Sequence, residues 1–171
     1  MKKNNQGMWI LTVFIITFFL SIVFSFLSNA FIIKLNNVFL SISLLITIGI
    51  GIFFDMIGTS TISARESTFH SLNSKKVRGA KEAIIMIKNA NKVSSICNDI
   101  VGDVCGIISG SIGAFLSISL STYFNPTLIS IIIAAIISSL TVGGKACFKL
   151  IAIKNANQIL MRVSKVLSIF F

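Results

Sequence analysis

Three acidic side chains lie within or at the edge of long apolar runs, where a charged group is costly to insert. They are Asp55, Asp99 and Asp103, in a chain of 171 residues that has five acidic residues in all. A carboxylate at the centre of a membrane costs roughly 2.5–3.5 kcal/mol on insertion scales, and less near the interface. Three such groups indicate a function, and their chemistry favours cation binding.

One face of a predicted helix combines carboxylates with a stripe of glycines. At 100° per residue, five residues fall within about 80° of one another: Asp99, Asp103, Gly106, Gly110 and Gly113. Glycines at positions 102, 106 and 110 form a doubled small-xxx-small pattern. This pattern lets a second helix approach closely, so we predict helix packing at Gly102, Gly106 and Gly110.

The carboxylates and a neighbouring amide predict a metal site. Clustered carboxylates stay ionised only beside a cation, a basic side chain or water. Oxygen ligands from Asp and Asn suit hard cations such as Mg²⁺, Ca²⁺ or Na⁺. We therefore predict that Asp99 and Asp103 ligate the ion directly. Asp55 would face them from the preceding membrane helix, and Asn98 would add a neutral oxygen.

Two alternatives remain open for these carboxylates. Asp99 and Asp103 would pair with a basic side chain at the interface, or would cap the start of a helix. The basic candidates are Lys88, Lys92 and Arg65. In the other alternative, the carboxylates exchange protons and form a proton relay instead of a metal site.

Composition indicates a membrane protein. Hydrophobic residues make up 54% of the chain and charged residues 12%, whereas a soluble domain has about 25% charged residues. Four apolar segments are long enough to cross about 30 Å of hydrocarbon as helices. They lie at residues 8–31, 38–59, 93–122 and 127–142. We predict an all-α membrane protein in which residues 1–171 form one integral membrane domain with four transmembrane helices.

The distribution of basic residues predicts the orientation. The net charge is +10, and the basic residues flank the apolar runs. This pattern follows the positive-inside rule and favours anionic lipid headgroups as partners, with no role for nucleic acid. Most positive charge lies in two segments, residues 62–91 and 145–171, while the first loop has Lys34 alone. Four spans place both termini and each basic segment in the cytoplasm, in a multi-pass protein of the inner (plasma) membrane.

Both basic segments have the periodicity of amphipathic helices. In the first, one arc holds Ala80, Ala83, Ile84 and Ile87, opposite Arg78, Lys81, Lys88 and Lys92. In the C-terminal segment, one arc holds Ile153, Ala156, Leu160, Val163, Leu167 and Phe170, opposite Lys154, Arg162 and Lys165. Each helix would lie on the membrane surface, pack on the cytoplasmic face of the protein, or do both.

A short internal repeat links the two segments. Residues 85–91 and 151–157 both end in Lys-Asn-Ala-Asn. Asparagine can end one helix in a left-handed conformation and cap the next one. We therefore predict an elbow between two helices at each repeat.

Other reactive residue types give no catalytic pattern. The chain has no nucleophile motif, phosphate-binding loop or dinucleotide fingerprint, so we expect no enzymatic activity. Cys97, Cys105 and Cys147 follow no metal-ligand or disulfide spacing, and we expect them to be buried small side chains. His70 is expected to be solvated or locally hydrogen-bonded.

Four short segments carry a family resemblance: Phe53-Phe54 and residues 80–90, 144–149 and 154–157. Together they resemble the transmembrane domain of the cyclin M / CorB–CorC family of magnesium transporters. The family motifs in the same order are Phe-Phe-Ser-Gly-Ser-Glu, Ala-Lys-x-Ala-x-x-Leu-Leu-x-Asn-Pro, Gly-Glu-x-x-Pro-Lys and an Arg-Asn-Pro-Glu-like elbow. The resemblance covers roughly residues 50–171. It implies the family's fold, a homodimer, and transport of a divalent cation such as Mg²⁺.

The chain departs from the family at functional positions. Residues 55–58 read Asp-Met-Ile-Gly and lack the family's serines and acid, while Lys145 replaces a glutamate and Phe148 a proline. The polar residues of the following span appear in a shifted register, as Asn98, Asp99 and Asp103. We expect no counterpart of the family's nucleotide-binding CBS pair. The rival interpretation is a non-transporting membrane scaffold or regulatory paralogue that acts through helix packing and anionic-lipid contacts.

Overall fold

The computed structural model of the chain describes residues 3–32, 36–122 and 125–169. Within these residues every regular element is helical and no strand is present, which confirms the predicted all-α class. Two residues named in the sequence predictions lie outside this part of the chain: Lys34 and Phe170.

Eight α-helices and one π-helical segment follow one another in the described residues. The first four helices are α1 Lys3–Ile32, α2 Asn37–Ser63, α3 Glu66–Ser74 and α4 Ala80–Lys88. The remaining elements are α5 Ala90–Ser94, the π-helical segment Ser95–Val101, α6 Gly102–Leu120, α7 Pro126–Lys154 and α8 Ala156–Leu167. The stretch from α5 through α6 is one uninterrupted helical rod, Ala90–Leu120, here called the α5–α6 rod.

Three helical stretches are long and apolar enough to cross a membrane: α2, the α5–α6 rod and α7. They correspond to the second, third and fourth predicted spans. The first predicted span lies within α1, whose described apolar part, Leu11–Val23, is shorter. The fold therefore agrees with a helical membrane protein, while the number of four spans stays a prediction.

Helix α7 is longer than the sequence predicted. It ends at Lys154, whereas the predicted fourth span ended near residue 142, just before Gly143 and Gly144. Each glycine costs about 1 kcal/mol in a helix interior. Gly144, however, permits close packing, because a Cβ there would overlap the δ-methyl of Ile52 and lie 3.3 Å from its Cγ1. Lys145, predicted in a separate tail, consequently belongs to α7.

The helices form two compact units. Unit 1 consists of Met1–Ile50 and Asp103–Leu140, and unit 2 consists of Gly51–Gly102 and Thr141–Phe171. Unit 2 has twelve Lys and Arg residues against four Asp and Glu, which is +8 of the chain's +10. The positive charge is thus concentrated in one unit.

Within unit 1, α6 packs on α7 through a glycine. A Cβ at Gly113 would overlap the δ-methyl of Ile137 and lie 3.6 Å from Cγ2 of Ile133. At the start of α2, the Asn37 side-chain oxygen accepts a 2.8 Å hydrogen bond from the Ser119 hydroxyl. These contacts join all three membrane-length stretches within this unit.

Within unit 2, α3, α4 and α8 share an apolar core. Phe69 and Leu160 are fully buried, and Ala83 and Ile84 complete the cluster. The predicted arc of α4 is therefore confirmed as its buried face, and the opposite basic side chains are exposed. In the C-terminal arc one assignment was wrong: Ile153 belongs to α7 and is 51% exposed.

Both predicted elbows are present. Asn89 separates α4 from α5, and Asn155 separates α7 from α8. Their backbones are nearly identical, with φ −109° and ψ 26° at Asn89 and φ −112° and ψ 25° at Asn155. The predicted left-handed conformation is wrong, because both φ angles are negative. The next helix begins at the residue after each asparagine, so the two helices are joined without a residue of positive φ.

Gly79 has the positive φ that the fold requires. Its φ is +88°, and a Cβ there would lie 2.8 Å from the backbone nitrogen of Lys165 in α8. We expect Gly79→Ala to destabilise the protein by about 2 kcal/mol, through backbone strain and the clash with α8. Thermal unfolding of the purified protein measures this loss. Gly143→Ala is the control, since nothing lies within 4 Å of its Cβ position. Equal melting temperatures for the two variants would contradict the packing.

Candidate cation site

Gly58 of α2 and Asn98 of the π-helical segment approach so closely that a side chain at position 58 would have to displace the side chain of Asn98. A Cβ on Gly58 would overlap Oδ1 of Asn98, and would lie 2.9 Å from its Cγ and 3.3 Å from Cβ of Cys97. The π-helical turn is wider than an α-turn, and such turns occur frequently at functional sites. This contact brings a polar side chain of the α5–α6 rod directly against α2.

The Asn98 amide is only half satisfied. Its Nδ2 donates a 3.3 Å hydrogen bond to the Ser94 hydroxyl oxygen. Its Oδ1 is buried and accepts no hydrogen bond from any described residue. A buried polar group without a partner costs about 1–3 kcal/mol. The oxygen therefore favours the arrival of a hydrogen-bond donor or a cation.

Asp55 lies about one helical turn before this contact. Residues three apart are neighbours on a helix surface, so Asp55 and Gly58 share a side of α2. The Asp55 side chain is half-buried. It forms no hydrogen bond or ion pair within the described part of the chain. The carboxylate of Asp55 thus belongs to the same stretch of α2 that the amide oxygen of Asn98 contacts, and neither group has a partner among the described residues.

Asp99 and Asp103 are exposed. Asp99 accepts a 2.8 Å hydrogen bond from the hydroxyl of Ser95 on its own helix. Asp103 lies in the first turn of α6, in unit 1, and has no hydrogen-bond or ion-pair partner in residues 3–32, 36–122 and 125–169. In those same residues neither carboxylate forms the alternative ion pair with Arg65 or Lys88.

The described residues contain no group of three or more His, Cys, Asp and Glu side chains placed to hold a metal ion. The structure places Asn98 against the helix that carries Asp55, and leaves Asp99 and Asp103 on exposed positions. The sequence did not identify Gly58 as part of this arrangement. The feature of the sequence that could have identified Gly58 is its position three residues after Asp55, because glycine allows a second helix to approach closely.

A lysine that the sequence assigned to the cytoplasmic tail lies beside the acidic stretch of the rod. The Nζ of Lys145, on α7, is 3.5 Å from the position of a Cβ on Gly102. Gly102 follows Asn98 by four residues, one helical turn along the rod. In the sequence, Lys145 stands where the motif that this segment resembles has a glutamate, and this departure was the available signal. The Lys145 side chain is half-buried and places its ammonium group near this backbone.

The predicted glycine stripe divides into two parts. Gly113 packs on α7, whereas Gly106 and Gly110 are exposed and have no other helix within 4 Å of their Cβ positions. Within unit 1 a groove of about 570 Å³ runs between α6 and α7. Its lining includes Gly106, Gly110, Ser130, Ala134 and Ser138. The described part of the chain supplies no helix to fill this groove, so packing at Gly106 and Gly110 stays a prediction.

The remaining polar and sulfur groups have local roles. His70 is exposed and lies 3.1 Å from Glu66 Oε1, as expected for a locally bonded histidine. Cys97 and Cys105 are buried and form no disulfide, whereas Cys147 is exposed, which corrects the expectation that all three are buried.

The chain matches no protein-family model, no curated protein and no solved structure. The resemblance to the cyclin M / CorB–CorC family therefore rests on the four motif segments.

Gly58→Ala tests the contact on which this geometry depends. We expect a loss of about 1–3 kcal/mol, because the new methyl group must displace the Asn98 side chain. Thermal unfolding measures the loss, and Gly49→Ala on the same helix is the control with open space at its Cβ position. Adding Asn98→Ala should remove much of the penalty. A double variant whose losses are simply additive would contradict the contact.

Proposed function

We propose that the protein is an integral membrane protein that binds a hard cation, Mg²⁺ or a similar ion, beside Asn98 and Asp55 and transports it across the inner membrane. The observation that supports this proposal most directly is the buried Oδ1 of Asn98, which no described group satisfies. A cation there would give this oxygen a partner and would neutralise Asp55.

The small number of protein ligands suits magnesium. Mg²⁺ gives up its water reluctantly and is often bound by one or two carboxylates, keeping several waters in its octahedral shell. Asp55 would supply the charge and Asn98 a neutral oxygen. The exposed carboxylates of Asp99 and Asp103 would attract the ion toward the rod or join its shell in another conformation. No His or thiolate ligand is required, which favours a hard ion over zinc or copper.

The proposed transporter has four spans, both termini in the cytoplasm and two copies per assembly. Three stretches of membrane-spanning length support the lipid-embedded part of this proposal. They carry large exposed apolar side chains, among them Phe39, Leu128 and Leu150. The basic surface of unit 2 would face the cytoplasm beside anionic headgroups, in agreement with the positive-inside rule.

Removing a proposed ligand should remove ion-dependent stability. At a hundred times Kd a bound ion stabilises a protein by about 2.7 kcal/mol, which raises the melting temperature of the purified wild type. We expect Asp55→Asn and Asn98→Ala to lose this Mg²⁺-dependent rise, and Glu82→Gln, an acid outside the site, to keep it. Asp99→Asn and Asp103→Asn show whether these residues are also ligands.

Flux into proteoliposomes then separates binding from transport. Mg²⁺ entry should fall to background in Asp55→Asn and persist in Glu82→Gln. An unchanged melting temperature of the wild type with Mg²⁺, Ca²⁺ and Na⁺ would contradict the site. Binding without flux would leave the protein as a cation-binding membrane protein and reject transport.

One observation favours the second candidate, a non-transporting scaffold or regulatory paralogue. The exposed face around Gly106 and Gly110 has the small residues that permit close helix association in membranes. A scaffold would use this face to bind a second membrane helix, and its acidic residues would tolerate neutral substitutions.

Gly106→Leu and Asp55→Asn together discriminate between the two candidates. For a scaffold we expect this variant to shift the protein to a smaller assembly, because leucine fills the groove and blocks helix approach. Size-exclusion chromatography with light scattering measures the mass in detergent. Gly49→Leu, at another open glycine, is the matched control. Assembly unchanged by Gly106→Leu, combined with loss of cation binding in Asp55→Asn, would reject the scaffold.

A further inference from the structure

Unit 2 has a polar pocket of about 490 Å³ at the point where α2 and α7 end. The two helix ends lie side by side, because the Ser60 hydroxyl donates a 3.4 Å hydrogen bond to the carbonyl oxygen of Ala152. The polar residues that line the pocket include Ser63, Arg65, Thr68, Lys154, Asn157 and Gln158. They offer hydroxyl, amide, guanidinium and ammonium donors to one small space.

Two of the lining side chains are cations without an acidic partner. Arg65 and Lys154 are exposed, and neither forms an ion pair within the described residues. The nearest acid in sequence, Glu66, lies 3.1 Å from His70 Nε2 and does not line the pocket. The pocket therefore has two positive charges and no negative one among its lining residues.

Contacts within the protein hold the walls of the pocket in place before any ligand binds. The backbone N–H of Arg65 donates a 2.9 Å hydrogen bond to Oδ1 of Asn157, which ties the start of α3 to α8. One turn further along each helix, Phe69 and Leu160 are packed in the buried core. Arg65 and Lys154 are the charged side chains among the residues that line the pocket.

The depth of the pocket also fits an anionic ligand. Both α2 and α7 are of membrane-spanning length, and both end at the pocket. If they span the bilayer, the pocket lies where apolar chains give way to headgroups, at the level of lipid phosphates.

We propose that this pocket binds a phosphate group, either the headgroup phosphate of an anionic lipid or a free phosphate. Arg65 would form paired hydrogen bonds to two phosphate oxygens, and Lys154 would supply a second charge. Ser63, Thr68 and Gln158 would donate to the remaining oxygens. The phosphate site shares no residue with the cation site, so either one can fail without the other.

Thermal shifts of the full-length protein in detergent test the proposal with two probes. One probe is inorganic phosphate, and the other is short-chain phosphatidylglycerol in mixed micelles, with phosphatidylcholine as the blank. The test variant is Arg65→Gln with Lys154→Gln. The matched control is Arg162→Gln with Lys88→Gln, which removes the same two charge types from exposed positions of unit 2 outside the pocket.

We expect the test variant to bind about tenfold more weakly than the control variant, because it alone loses charge-assisted hydrogen bonds. A difference seen with inorganic phosphate identifies a free-phosphate site, and one confined to phosphatidylglycerol identifies a lipid site. Equal weakening in both double variants, or no shift with either probe, would overturn the proposal. If the test variant unfolds before it can be titrated, the single variants Lys154→Gln and Lys88→Gln are compared instead, each with one positive charge removed.

Discussion

The close approach of Gly58 to Asn98 is the constraint on which the proposed site depends. It favours glycine at position 58 of α2, because a Cβ there would overlap the Asn98 oxygen in its present position. It also buries that oxygen without giving it a partner, at a cost that a folded protein rarely accepts without a function. A binding site is expected to lower the stability of the protein in this way, because the ligand supplies the partner that the Asn98 oxygen lacks.

The positive charge of Lys145 would weaken ion binding at the proposed site. Lys145 holds an ammonium group beside the rod at Gly102, one turn from Asn98. The chain therefore has a cation of its own close to the proposed ion position, at the point where the resembling family has a glutamate. Such a charge lowers affinity for a divalent ion and favours its release. A site of this kind would bind weakly, as a transport site has to.

The sequence predicted the parts of the fold that periodicity and composition control. The second to fourth apolar segments, the basic helix α4 and the two asparagine elbows all appear in the structure. The π-helical segment Ser95–Val101 was missed, because a turn of this kind leaves no compositional signal in the sequence. For the same reason the sequence identified Asn98 by type alone and overlooked Gly58. Whether Asp99 and Asp103 join the site depends on a bound ion and stays a prediction.

The most direct test is to locate the ion. Crystals of the wild-type protein grown with Mn²⁺, a substitute for Mg²⁺, would show the metal by anomalous scattering. The proposal predicts a peak about 2.0–2.3 Å from Oδ1 of Asn98, or one water molecule away from it, with Asp55 in the same coordination shell. A structure with Mn²⁺ bound elsewhere, and with Oδ1 of Asn98 hydrogen-bonded to a protein donor, would contradict the account.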